Sequence, residues 1–169
     1  MKQTTTSQDT DASQTDAITL LSNDHAEVSE LFEQYRTLAD DAGSMTTDKQ
    51  SLAEEICTML TGHAAIEEEI FYPAVREALD DTRLLDEAEI EHQAAKDLIA
   101  QIQDSDPGDA LYDARVNVLG EYVNHHVQEE EGELFPQVRD AELDLQALGT
   151  EMSARQEELL SAEVDVDDE

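Results

Sequence analysis

His63-Ala-Ala-Ile-Glu67-Glu-Glu-Ile-Phe-Tyr-Pro73 decides the fold, because the same pattern returns as His126-Val-Gln-Glu-Glu130-Glu-Gly-Glu-Leu-Phe-Pro136. In both copies a glutamate follows the histidine at four residues and a proline at ten. Residues four apart on an α-helix lie on one face, about one turn apart. Each copy therefore aims an imidazole and a carboxylate at one point. Two such points brought together inside a bundle would bind a pair of metal ions.

The flanking sequence supplies that bundle. Upstream of the first copy, Leu52, Ile56 and Met59 lead into His63, Glu67 and Ile70 at steps of 4, 3, 4, 4 and 3. Thr47 and Gln50 stand in capping-box register at the start of this helix. Upstream of the second copy, Val116, Leu119 and Val123 lead into His126, Glu130 and Leu134 on a helix expected from Asp109 to Asp140. Two further helices carry a lone histidine in the same kind of stripe. The first, from Asp16 to Asp40, presents Ile18, Leu21, His25, Val28, Phe32 and Tyr35. The third, from Asp80 or Asp81, presents Leu85, Ala88, His92, Ala95, Ile99 and Ile102. Asp41-Ala-Gly-Ser44 and Asp104-Ser-Asp-Pro-Gly-Asp109 are turns. Pro73 is expected to kink or end its helix near Phe71, with Val75 and Leu79 marking a resumption.

These observations predict an all-α fold, an up-down-up-down four-helix bundle over residues 17–141. A short fifth helix is expected over 142–160, a disordered polar tail over 1–16 and an acidic tail over 161–169. Helix rise places His25 and His63 within about 3 Å in height. His63 and His92 differ by about 9 Å, which the Pro73 kink and helix tilt must absorb.

Composition narrows the function. The chain has 43 acidic residues against nine Lys plus Arg, a formal net charge of −34. Such a field repels nucleic acid and anionic membranes, and both are excluded as partners. The balance resembles that of proteins from salt-loving microbes, where screening weakens self-repulsion. Cys57 is the sole cysteine, so no intrachain disulfide forms and a reducing compartment is expected. With no secretory leader and no apolar run of about 18 residues, a cytoplasmic location follows.

The candidate metal ligands are His25, His63, Glu67, His92, His126 and Glu130. A glutamate is almost never buried without a partner, and an apolar core holding six such groups would cost several kcal/mol per unpaired ion. Two divalent cations would satisfy all six. Imidazole with carboxylate suits iron, manganese or zinc better than calcium. Glu67 and Glu130 can each bridge two ions, with a water-derived oxygen completing the bridge. Six protein ligands cannot fill two octahedral shells, so a position stays open for a small diatomic ligand, dioxygen or nitric oxide, or for peroxide. That points to a redox pair, with iron the natural choice. His125 points about 100° away from His126 and belongs to the surface. Cys57 reads as a filler, and Tyr35, Tyr72 and Tyr122 as interior packing.

On these marks the chain resembles hemerythrin-like proteins of the HHE cation-binding type. They are His25 in Asn-Asp-His-Ala-Glu, the two His-x-x-x-Glu…Pro copies and Glu91-His92. The resemblance implies a non-haem di-iron centre inside the bundle. Two helices depart from the oxygen-carrying members. His92 is followed at +4 by Lys96 rather than histidine, and His126 pairs with Glu130 at +4 rather than Asp at +5. The resulting set of four His and two Glu looks more like variants tied to oxygen or iron sensing and to repair of damaged iron centres. The reading is a di-iron protein that binds or senses dioxygen or iron, the alternative being a di-iron enzyme acting on nitric oxide or peroxide, or repairing damaged iron centres.

Overall fold

The structure, a computed structural model, describes residues 15–164. Of the tails expected over 1–16 and 161–169, residues 1–14 and 165–169 lie outside the described residues, while 161–164, expected as acidic tail, belong to the last helix. Seven helical segments follow one another: α1 (Ala17–Asp40), α2 (Thr46–Ile66), α3 (Tyr72–Ala78), α4 (Arg83–Gln103), α5 (Tyr112–Glu129), α6 (Phe135–Asp140) and α7 (Leu145–Val164). Wide π turns, Glu67–Phe71 and Glu130–Leu134, join α2 to α3 and α5 to α6. The bundle is therefore built from α1, α2–α3, α4 and α5–α6. No strand occurs among the described residues.

Local chemistry sets the ends. Asp16 caps α1 by accepting the Thr19 N–H at 2.8 Å. The capping box expected at Thr47 does not form: α2 starts one residue earlier, with Met45 at the cap, and the Gln50 amide donates to Glu54 instead. α4 and α5 likewise begin later than expected, at Arg83 and Tyr112.

Each proline falls just past a π turn. Proline has no N–H to donate, and its ring clashes with the carbonyl a turn below. The widened turn, in which the Tyr72 and Phe135 N–H groups reach back five residues to Glu67 and Glu130, lets the helix run on through Pro73 and Pro136. The helix thus continues to Ala78 rather than ending near Phe71. Beyond it Leu79 is extended, with ψ 138°. A link of four residues can span up to about 13 Å, more than the height mismatch between His63 and His92.

Two separate apolar clusters make the core. One holds Ile18, Leu21, Phe71, Val75, Leu85, Leu134 and Val138; the other holds Val28, Phe32, Ile56, Leu60, Ile99, Val116 and Leu119. Along α1 the order is first cluster, His25, second cluster, and along α2–α3 it reverses around His63 and Glu67. α4 and α5–α6 repeat the alternation, which gives the up-down-up-down course. All six predicted ligands are at most 8% exposed and lie in the single polar layer between the clusters.

α7, expected over 142–160, runs over Leu145–Val164, a few residues further along the chain. It packs on α1, α2 and the first π turn and buries Met152 completely. Gly149 makes this docking possible: a Cβ there would stand 2.2 Å from the Thr15 carbonyl oxygen.

Candidate metal centre

The structure brings all six predicted residues to one place, and it divides them into two halves. In the first, His25 Nε2 lies 3.2 Å from Glu130 Oε2, and His63 Nε2 lies 3.2 Å from Glu67 Oε1. In the second, His92 Nε2 lies 3.1 Å from Glu67 Oε2, and His126 Nε2 lies 3.4 Å from Glu130 Oε1. Each glutamate therefore gives one oxygen to each half. The i, i+4 pairs of both copies meet as their helical spacing requires.

The orientation of the histidines is fixed from outside the layer. Nδ1 of His25, His63, His92 and His126 bonds Glu131, Asp24, Glu68 and Glu91 at 2.9, 3.1, 2.9 and 2.7 Å. An ionised carboxylate only accepts, so Nδ1 carries the proton and the Nε2 lone pair is free to face the centre. A carboxylate behind a ligating imidazole sets its tautomer and raises its basicity. All four acids lie within the stretches quoted from the sequence, next to His25, Glu67, Glu130 and His92, but helical spacing does not pair any of them with the histidine it serves. Glu131 is exposed and yet serves His25. Lys96 clamps Glu68, and Gln156 of α7 donates to Asp24.

Tyr72, which sequence reasoning set aside as packing, reaches into the layer. Its hydroxyl donates to Glu130 Oε1 at 2.6 Å and to Glu67 Oε2 at 3.1 Å, and lies 3.3 Å from Nε2 of both His92 and His126. At 100° per residue, Tyr72 falls about 140° from Glu67 and points elsewhere. The π turn sets it directly above Glu67 instead, since their backbones bond to one another. π turns occur often at functional sites. In the other copy Phe135 occupies the equivalent position and stacks on His25, its ring 5.9 Å away and 2° from parallel.

Among the described residues, four buried side-chain atoms have no hydrogen-bond partner: Nε2 of His25 and His63, Oε1 of Glu67 and Oε2 of Glu130. All belong to the first half. Burying such groups unpaired is costly, and a cation answers the cost for all four together. Donors about 2.1 Å from an ion and at right angles stand about 3.0 Å apart, close to the spacings seen here. The residues fit a metal pair.

Without metal, the layer holds protons between its acids and bases. Burial opposes the charge on His63, but Glu67 and Asp24 outweigh it and keep the pKa at about 10. The same contest, with Glu130, Glu67 and Glu91 prevailing, puts His126 at about 12. Glu67 is held well below its ordinary value, the histidine contacts outweighing burial. Burial and the two glutamate charges push the Tyr72 phenol well above 10.

Of the residues not chosen as ligands, His125 is 65% exposed beside Glu91 and Glu129, as expected for a surface residue. Cys57 is buried filler and Tyr35 a core residue bonded to Asp113. Tyr122, expected inside, is 47% exposed at the rim of a cavity. That cavity, of about 50 Å³, reaches all four ligand histidines and is otherwise walled largely by Val28, Met59, Leu60, Ala95, Ile99 and Val123.

A bundle of this topology with a His/Glu layer between two apolar clusters defines a metal-binding helical protein. Residues 16–138 match the hemerythrin HHE cation-binding domain family, and the chain belongs to it. A crystal structure of an HHE cation-binding domain-containing protein from Mycobacterium kansasii superposes with a TM-score of 0.73 at 22% identity, covering 88% of this chain and 89% of that one. A Nostoc protein called a DNA nickase is 32% identical over 123 residues, 69% of this chain. The match spans about a third of that relative's length, 32%. No helix among the described residues is long and apolar enough to cross a membrane.

Proposed function

We propose that the protein holds two iron ions between its two halves and offers a small diatomic ligand a position on them. The observation that carries this reading is the set of four buried donor atoms without hydrogen-bond partners. His25, His63, Glu67 and Glu130 would hold one ion; His92, His126 and the other oxygens of both glutamates would hold the second. Bound iron supplies reversible one-electron chemistry. The chain's own residues do the rest. The outer carboxylates keep the Nε2 lone pairs inward, the two phenylalanines at the π turns exclude water from below, and the apolar cavity admits an uncharged molecule from above. Water needs roughly 10–15 Å³ of such space, so the cavity has room for dioxygen or nitric oxide.

Tyr72 favours the alternative over reversible oxygen carriage. Its oxygen faces the second half, and a phenol that gives its proton to solvent there becomes an anionic donor. Hard anionic oxygens favour trivalent iron, which suits an enzyme acting on nitric oxide or peroxide. The name of the Nostoc relative suggests DNA as a substrate; a net charge of −34 weighs against it here. The same charge supports a surface suited to high salt, and the single cysteine a cytoplasmic setting.

Anaerobic reconstitution with ferrous iron tests the reading. About two ions per chain and a spectral change on adding nitric oxide are expected; a stoichiometry near zero contradicts it. Catalytic turnover of nitric oxide or peroxide above that of free iron separates enzyme from binding protein.

A further inference from the structure

We infer that the two halves of the centre fill in order with divalent ions, the His25–His63 half first, and that Tyr72 sets that order. The inference rests on the di-metal reading above. It concerns which half is ready to receive an ion, and the two differ in one respect. In the first half, the four inward atoms meet only one another, as the His25–Glu130 and His63–Glu67 pairs at 3.2 Å, so an ion displaces only the protons those pairs hold. In the second, the Tyr72 hydroxyl joins the inward donors of both glutamates and lies within 3.3 Å of both imidazole nitrogens. An ion entering there must first part that hydroxyl from Glu130 and Glu67.

The hydroxyl has nowhere else to go. Tyr72 is 7% exposed and packed in the first apolar cluster beside Phe71 and Val75. Swinging it to solvent would open that cluster. An ion there must take the place of that hydroxyl on the glutamate oxygens, and gains from it at most a weak donor. Access does not explain the order, because the cavity that reaches His25 and His63 reaches His92 and His126 as well. Nor does ligand type, since each half has two imidazoles and two carboxylate oxygens. The difference lies at the ninth residue after the histidine in each copy, Tyr72 in one and Phe135 in the other.

Zinc reads the order without redox chemistry, being fixed in one oxidation state. Calorimetric titration of the metal-free full chain with zinc is expected to resolve two steps, at least about tenfold apart in affinity, the worth of one hydrogen bond to a charged group. His92→Gln should keep the tight step, and His63→Gln should remove it. Tyr72→Phe, which keeps the ring and its packing, should draw the weak step toward the tight one by about tenfold or more. Circular dichroism confirms that each variant retains its helices. Two equal steps in the wild type, loss of the tight step in His92→Gln, or a weaker second step in Tyr72→Phe would each overturn the inference. If the wild type binds no zinc at all, it is the di-metal reading that has failed.

Discussion

The two halves of the polar layer are built from the same parts and end up different. Each has two imidazoles, each imidazole has a carboxylate behind it, and both share the oxygens of Glu67 and Glu130. One half is backed by Phe135, which lies flat on His25 and supplies no polar atom. The other is backed by Tyr72, whose oxygen lies among its donors. A repeated motif thus fixes the position of a metal pair, while one oxygen atom outside the repeated residues makes the pair unequal. Ligand count alone would have called the halves equivalent.

The largest break in this comparison is expected from the residue both halves share. Glu67→Ala removes an oxygen from each, and metal content should fall from about two ions per chain to near zero. His25→Gln touches one half only and should leave about one. Equal losses in the two variants would mean that Glu67 does not bridge. Removing a carboxylate behind an imidazole should act more gently. Asp24→Asn or Glu91→Gln should lower metal affinity about 10- to 100-fold, as loss of such partners does elsewhere, read by competition with a chelator.

Protons sharpen the contrast between empty and loaded layers. His63 and His126 have pKa values raised to about 10 and about 12 in the fold, against about 6.5 unfolded. A raised value stabilises the fold fully below the unfolded pKa and is lost as pH climbs through the folded one. The metal-free chain should therefore lose melting temperature between about pH 6.5 and 10. Glu67 and Glu130, held below their ordinary values, should cost stability as pH falls through the carboxylate range. In the loaded protein, ions replace those protons, and the alkaline loss should vanish. A chelator should restore it. The smallest effect is expected away from the layer. Gly149→Ala should lower stability by about 1–3 kcal/mol, the usual cost of overpacking, without changing the number of ions bound.

Much of this was legible in the sequence because α-helical periodicity is local. Six ligands, four stripes and the bundle follow from counting threes and fours. Tyr72 did not follow, because the count fails where the helix widens. The prolines at 73 and 136 hinted at a break, yet the chain answers each with a π turn that carries the next aromatic residue onto the ligand face. The same shift explains why Ile66 is fully buried while Ile70, expected inside, is only partly so. The carboxylates behind the histidines come from other helices in all four cases, so no spacing along the chain joins them. Asp24, next to His25 in sequence, serves His63 instead.

Anomalous diffraction from crystals of the ferrous-loaded protein tests the central claim most directly. It should show two iron peaks roughly 3.5 Å apart. One should lie among His25, His63 and the near oxygens of Glu67 and Glu130, the other among His92, His126 and the far ones. A single peak, or iron found only at exposed His125, would contradict the paired centre.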